Sequence, residues 1–234
     1  MPNIKSKIEL RKIYEHLKQI YPDLSPTRKT EAVQWGELKP EHENIPDYHF
    51  LLNLCYGPWR PNRQKQVWEE AYKNFQVVGD IRNLMNILEL GFPFDWQKER
   101  LKKMREYLID NSISFEEFLS GIKEKSGIEI RDKFKEIIGG SSTKIYSTFI
   151  RDFMQKEDVF PIDSRVLSML NKLGLPNDEN LLVKLCKEHN LPPSLFEGFL
   201  YRFKEDFCDN NKFIDCPIRE ECWCYIIKKQ CYNI

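Results

Sequence analysis

The chain has 234 residues, of which 31% are charged, 41% hydrophobic and 13% aromatic, enough for one large domain or two small ones whose core needs no disulfides. Lys and Arg number 36 against 36 Asp and Glu, so the net charge is zero and no polyanion signature exists at the level of the whole chain; clustered cations or bared backbone amides remain the routes to a phosphate. Disorder is excluded by this composition, no run approaches the ~18 apolar residues of a membrane span, and Met1-Pro2-Asn3-Ile4-Lys5 lacks a signal-peptide core, so an intracellular protein with no membrane contact is expected.

The first segment places Leu10, Ile13, Tyr14, Leu17 and Tyr21 at helical spacing. Pro22 to Pro46 is irregular and reads as a loop. An apolar helix follows at Phe50-Leu-Leu-Asn-Leu-Cys55, and another from about Arg63 to Phe75. Between them stands Trp59, either a core residue or, with Arg60, a stacking surface. Helical spacing returns at Leu101, Met104, Tyr107 and Leu108. Breaks at Gly57-Pro58, Gly91-Phe92-Pro93, Gly139-Gly140, Phe160-Pro161 and Pro176 leave about ten helices and no strand alternation. The expectation is an all-α fold, with a central bundle at 46–153 and a second lobe built from 1–45 and 154–234. Cys55 and Cys186 lie among apolar helical residues and are expected in the core.

Phe134-Lys-Glu-Ile-Ile-Gly-Gly-Ser-Ser-Thr-Lys144-Ile-Tyr-Ser-Thr-Phe-Ile150 reads as helix, turn, helix. Its small residues let the backbone turn sharply and bare its amides, and those amides, next to a helix N-terminus, suit a phosphate. From the turn alone an ordinary connection, with a Gly C-cap and a Ser or Thr N-cap, is the plainer reading. Further on, Val159-Phe-Pro-Ile-Asp163-Ser-Arg-Val-Leu-Ser-Met-Leu-Asn-Lys-Leu-Gly-Leu175 places Asp163 as the N-cap of a helix. A helix from about Thr143 to Gln155 advances roughly 18 Å, and an extended connector from Lys156 to Ile162 returns up to about 23 Å. Chain length therefore permits Asp163 to come back beside Lys144.

Ile138-Gly-Gly-Ser-Ser-Thr-Lys144 resembles the hairpin of the helix-hairpin-helix DNA glycosylases of the endonuclease III and 8-oxoguanine glycosylase superfamily, whose pattern is Leu-Pro-Gly-Val-Gly-Thr-Lys. Gly140 keeps the first pattern glycine, Ser142 replaces the second, and Gly139 stands for the proline. Pro161, Asp163, Val166, Leu173 and Gly174 match Pro-Val-Asp-Thr-His-Val and Arg-Leu-Gly of the same superfamily, with Ser164 and Arg165 in place of Thr and His. The interval from Lys144 to Asp163 is the one the resemblance requires, and the loose match runs from about Tyr48 to Cys222.

What the resemblance implies is a two-lobed glycosylase fold with a six-helix barrel at 46–153, acting as a monomer on double-stranded DNA that contains a damaged base. Lys144 would be the nucleophile and AP-lyase residue, neutral only if burial or a nearby cation lowers its pKa by roughly three units. Asp163 would stabilise the oxocarbenium-like transition state. Gly139, Gly140, Ser141, Ser142 and Thr143 would grip DNA. The lesion stays open between 8-oxoguanine and an oxidised pyrimidine.

Five of the seven cysteines, Cys208, Cys216, Cys222, Cys224 and Cys231, crowd the C-terminal tail, which in a reducing compartment points to metal. Endonuclease III-like proteins hold a [4Fe-4S] cluster on Cys-x6-Cys-x2-Cys-x5-Cys. Cys208 fits the first ligand of that pattern and Cys216 with Cys222 the last pair, while Cys224 or Cys231 would supply the missing thiolate. A structural zinc or a metal-free tail are the other readings. Two functions of another class stay open, a non-catalytic DNA-binding hairpin protein and an iron-sulfur redox or sensing protein.

Overall fold

In the computed structural model, residues 10–25, 33, 36–55, 61–84, 90–140, 143–210, 216–219 and 222 are described. They form ten α-helices and, among the described residues, no strand. The helices are α1 (Leu10–Ile20), α2 (Pro46–Cys55), α3 (Pro61–Val78), α4 (Asp95–Asp110), α5 (Phe115–Ile122), α6 (Gly127–Ile138), α7 (Lys144–Asp152), α8 (Ser164–Leu173), α9 (Glu179–Glu188) and α10 (Pro193–Phe203), followed by a π turn at Lys204–Cys208. The all-α expectation is met. Trp59, Arg60, Ser141, Ser142, Cys224 and Cys231 lie outside the described residues. None of the described helices is long and apolar enough to cross a membrane.

The chain divides into two compact units, one of residues 27–156 and one of 1–26 with 157–234. The larger is built around α2, every residue of which is buried. A helix buried around its whole circumference has no solvent face and must be surrounded; here α3, α5 and α7 pack on it. The core is aromatic. Phe50, Phe115, Phe134 and Phe149 are at most 1% exposed, and their rings meet edge-on or stacked, with centroids 5.2 Å apart for Phe50–Phe115 and 5.6 Å for Phe134–Phe149. Part of the segment expected to be a loop also belongs here. Trp68 Nε1 donates to the Glu37 carbonyl at 2.7 Å, and the His42 ring stacks on Tyr48.

Local signals start α5 and α6, the second of which leads into the hairpin. Ser114 accepts from the Glu117 N–H while Glu117 reaches back to the Ser114 N–H, and Ser126 and Glu129 repeat the arrangement. Each pair satisfies two N–H groups that a helix start leaves without intrahelical partners. α6 packs on both α4 and α7. The helix expected to run to Gln155 is shorter: α7 ends at Asp152, and Gln155 sits at φ 56°, a left-handed conformation that no α-helix continues.

The second unit packs α10 against α1, α8 and α9. Tyr14 of α1 lies edge-on to Phe199 at 5.4 Å and to Phe196 at 6.1 Å, and the Tyr21 hydroxyl donates to Asp206 at 2.8 Å. α8 stops at Gly174, whose φ of 66° and ψ of 24° are left-handed, and the Leu175 N–H bonds back to the Leu170 carbonyl. That is the αL glycine stop implied by Leu-Gly in the sequence. Cys55 and Cys186 are fully buried, as expected; burial pushes the Cys186 thiol up to about 12 and raises Cys55 further.

Candidate active site and nucleic-acid interface

The hairpin begins where α6 ends. Gly139 has φ 70° and ψ −162°, and Gly140 has φ 102°. Two consecutive positive φ values, the first paired with an extended ψ, belong to a region open essentially to glycine alone, which is why a Gly-Gly pair stands here. The Gly139 N–H closes the last turn of α6 on the Lys135 carbonyl at 2.9 Å. The Gly139 carbonyl accepts from the Tyr146 hydroxyl. Tyr146, fully buried, stacks on Phe134 at 5.9 Å, so one side chain of α7 ties both the turn and the flank of α6.

Lys144 is the first residue of α7 and is half-buried. Thr143 precedes it as N-cap in αR geometry, and its side chain makes no capping hydrogen bond; the expected Ser/Thr cap does not form at this residue. The Lys144 carbonyl accepts the Thr148 hydroxyl at 2.7 Å, anchoring the first turn. The rest of α7 is buried from Ile145 to Arg151, so Lys144 sits at the end of a helix whose body is immobilised by packing.

α4 supplies what sequence reasoning missed. Its Arg100, 9% exposed, lies 5.0 Å from the Trp96 ring and 5.3 Å from the Tyr146 ring. A Cβ added at Gly140 would meet Arg100 Nη2 at 2.1 Å, so the guanidinium fills the space a side chain at 140 would need. Lys103, one turn further along α4, reaches within 3.8 Å of the corresponding position at Gly139. The signal for Arg100 was present as Trp96-x-x-x-Arg100, the spacing that puts two side chains on one helix face. A second missed residue is Gln97, fully buried, whose amide donates to the Leu54 carbonyl at 2.6 Å and so satisfies the end of α2.

In the other unit, Asp163 caps α8 as expected: its Oδ1 accepts the Val166 N–H at 2.8 Å. It is only part-buried, and one carboxylate oxygen meets the capping requirement. Two residues on, Arg165 donates to the Tyr201 hydroxyl at 2.7 Å and to Glu205 at 3.3 Å, with its guanidinium 5.0 Å from the Tyr201 ring. Along the outer face of α8, Ser164, Leu167, Ser168, Asn171 and Lys172 line an open groove of about 400 Å³.

The cysteine tail is described only at Cys208, Cys216 and Cys222. Burial raises the Cys216 thiol, and the neighbouring Cys208 and Cys222 add to the effect. Cys208 Sγ meets Met169 Sδ at 3.7 Å. Among the described residues no group of three or more His, Cys, Asp or Glu side chains is arranged to hold a metal, so the described thiols alone do not make a cluster site.

No protein-family model matches the chain, and no curated protein sequence matches it. Among solved structures, it is similar to the Clostridium acetobutylicum 8-oxoguanine glycosylase/lyase, determined in complex with double-stranded DNA containing cytosine opposite 8-oxoguanine. The TM-score is 0.53 at 16% sequence identity, over 85% of this chain and 70% of that one. The described residues, all helical where regular, share the fold of that glycosylase/lyase, in line with the resemblance read from the residues around Lys144 and Asp163.

Proposed function

We propose that the protein is a base-excision DNA glycosylase with AP-lyase activity, using Lys144 as nucleophile and Asp163 as electrostatic partner. The observation that carries the reading is the hairpin, a glycine turn that delivers Lys144 at the first position of a buried helix. The likeness in fold to a glycosylase/lyase supports it.

In this reading the hairpin amides hold the DNA backbone without regard to sequence, and the damaged nucleotide leaves the stack to reach the site. The neutral amine of Lys144 attacks the deoxyribose C1′, forming a C–N bond as the glycosidic bond breaks and the base leaves with its electron pair. Opening of the sugar ring gives a Schiff base. Loss of a proton from C2′ then expels the 3′ phosphate by β-elimination. The negative charge of Asp163 stabilises the cationic sugar as the base departs.

Since the structurally similar enzyme acts on 8-oxoguanine, that base opposite cytosine is the first substrate to test, with oxidised pyrimidines beside it. Borohydride trapping on abasic duplex DNA is the direct test. A covalent adduct that disappears in Lys144→Ala is expected, and no adduct from well-folded wild-type protein sinks the lyase assignment. Duplex binding without any adduct would instead favour the non-catalytic hairpin protein.

The proposal includes an iron-sulfur cluster on Cys208, Cys216 and Cys222, with Cys224 or Cys231 as fourth thiolate. It has a structural role and takes no part in base excision. Protein purified without oxygen should carry about four iron and four acid-labile sulfide per chain; one zinc, or no metal, overturns this part.

A further inference from the structure

Among the described residues, three buried arginines lie in the unit that contains the hairpin: Arg100, Arg131 and Arg151. Arg131 and Arg151 each bond the adjacent aspartate, Asp132 and Asp152. For Arg100 no hydrogen bond or ion pair is formed among the described residues; its contacts are the faces of Trp96 and Tyr146. Aromatic faces hold a guanidinium in place but accept none of its in-plane N–H bonds, so those N–H groups are left for solvent or for a ligand. The side chain is nine-tenths buried, and its Nε, Cζ and Nη2 atoms line Gly140. The Nε and Nη2 pair is the edge that binds an oxyanion with two parallel hydrogen bonds.

The surroundings point the same way. Gly140 has an N–H with no acceptor among the described residues. Lys103 Nζ flanks Gly139; the lysine is 43% exposed and pairs with Glu99 at 3.7 Å. Two cations one turn apart on α4 therefore converge on a turn that only glycines can form. Arg100, which has no ion pair among the described residues, thus brings positive charge to the turn of a chain whose net charge is zero.

We infer that Arg100, assisted by Lys103, forms the cationic wall of a phosphate-oxyanion site at the Gly139–Gly140 turn and there holds a backbone phosphate of DNA. The inference rests on the proposed DNA function and adds to it a residue that no hairpin motif contains. The Trp96 and Tyr146 rings keep the guanidinium oriented before DNA arrives, so little side-chain freedom is lost on binding.

The test is the salt dependence of duplex binding. Each phosphate neutralised contributes about −0.9 to the slope of log K against log salt. Arg100→Met, which keeps the aliphatic packing, should weaken binding about tenfold near 50 mM salt, alike for damaged and intact duplex, and make the slope shallower by about one. Arg100→Lys should restore the slope. A cooperatively folded Arg100→Met protein with the wild-type slope overturns the inference and leaves arginine as packing only. Failure of the wild type to bind duplex DNA overturns the functional proposal itself.

A second measurement needs no variant to fold: with 15N-labelled arginine, the Arg100 Nε–H resonance of wild-type protein should move on adding an undamaged duplex. A resonance that stays put, or one moved by inorganic phosphate and not by duplex, overturns the DNA role.

Discussion

Asp163 shows how one carboxylate serves two ends that a substitution can separate. As N-cap it accepts the Val166 N–H, which an asparagine also does and an alanine does not. Asp163→Ala should therefore lose about 1 kcal/mol of stability, while Asp163→Asn should melt within about 0.5 kcal/mol of wild type and still lose roughly 100-fold or more in single-turnover excision. Equal activity of the Asn variant and wild type would show that the aspartate is a cap and nothing else. Asp47, buried at the start of α2, offers a stability test. Burial pushes its carboxyl up to about 6, against the opposing hydrogen bond it accepts from the Ile81 N–H at 3.0 Å. A folded-state value above the unfolded one, about 3.9, gives a contribution that is fully present below about pH 4 and is lost as pH rises through about 6. The change amounts to about 3 kcal/mol at most. Asp47→Asn keeps an acceptor without the charge, so its stability relative to wild type should increase between pH 4 and 7.5 in thermal melts. A difference that does not change with pH would refute the assignment.

At the scale of elements, the hairpin is where local conformation and tertiary contact impose the same requirement. Gly140 is glycine because φ is 102° and because Arg100 Nη2 stands 2.1 Å from where a Cβ would be. Gly140→Ala must strain the backbone and push the guanidinium aside at once, with an expected loss of about 2–3 kcal/mol and weaker DNA binding. Unchanged melting and binding would mean that the turn relaxes freely and is no rigid grip. The capping pairs near this element, Ser114-x-x-Glu117 and Ser126-x-x-Glu129, act over three residues, and the sequence reading passed over them. The partner of the glycine turn is not local. Arg100 meets Gly140 only after α4, α5 and α6 have folded back, and spacing along one helix carries no information about that approach.

At the scale of the molecule, stability resides in two aromatic cores, and the larger one surrounds α2. Phe50 touches Phe115, Phe134 and Phe149, so Phe50→Ala should cost about 3–5 kcal/mol. The loss should appear as a lowered midpoint in denaturant titration; a loss under about 1 kcal/mol would mean that the cavity collapses and that the cluster is not the keystone of this unit. The sequence alone determined the helical class, the helix stops at glycines, the Asp163 cap, and the buried Cys55 and Cys186. All of these follow from periodicity or from contacts within a few residues, where the chain's own geometry sets the neighbours. Tertiary structure decided the rest: that α2 is enclosed on all sides, that Tyr146 clamps the Gly139 carbonyl, and that Arg100 and Lys103 converge on the turn. Most of those pairings are distant in sequence, the Tyr146–Gly139 contact spanning only seven residues, and each arises because packing the aromatic core leaves one helix only one way to meet the next.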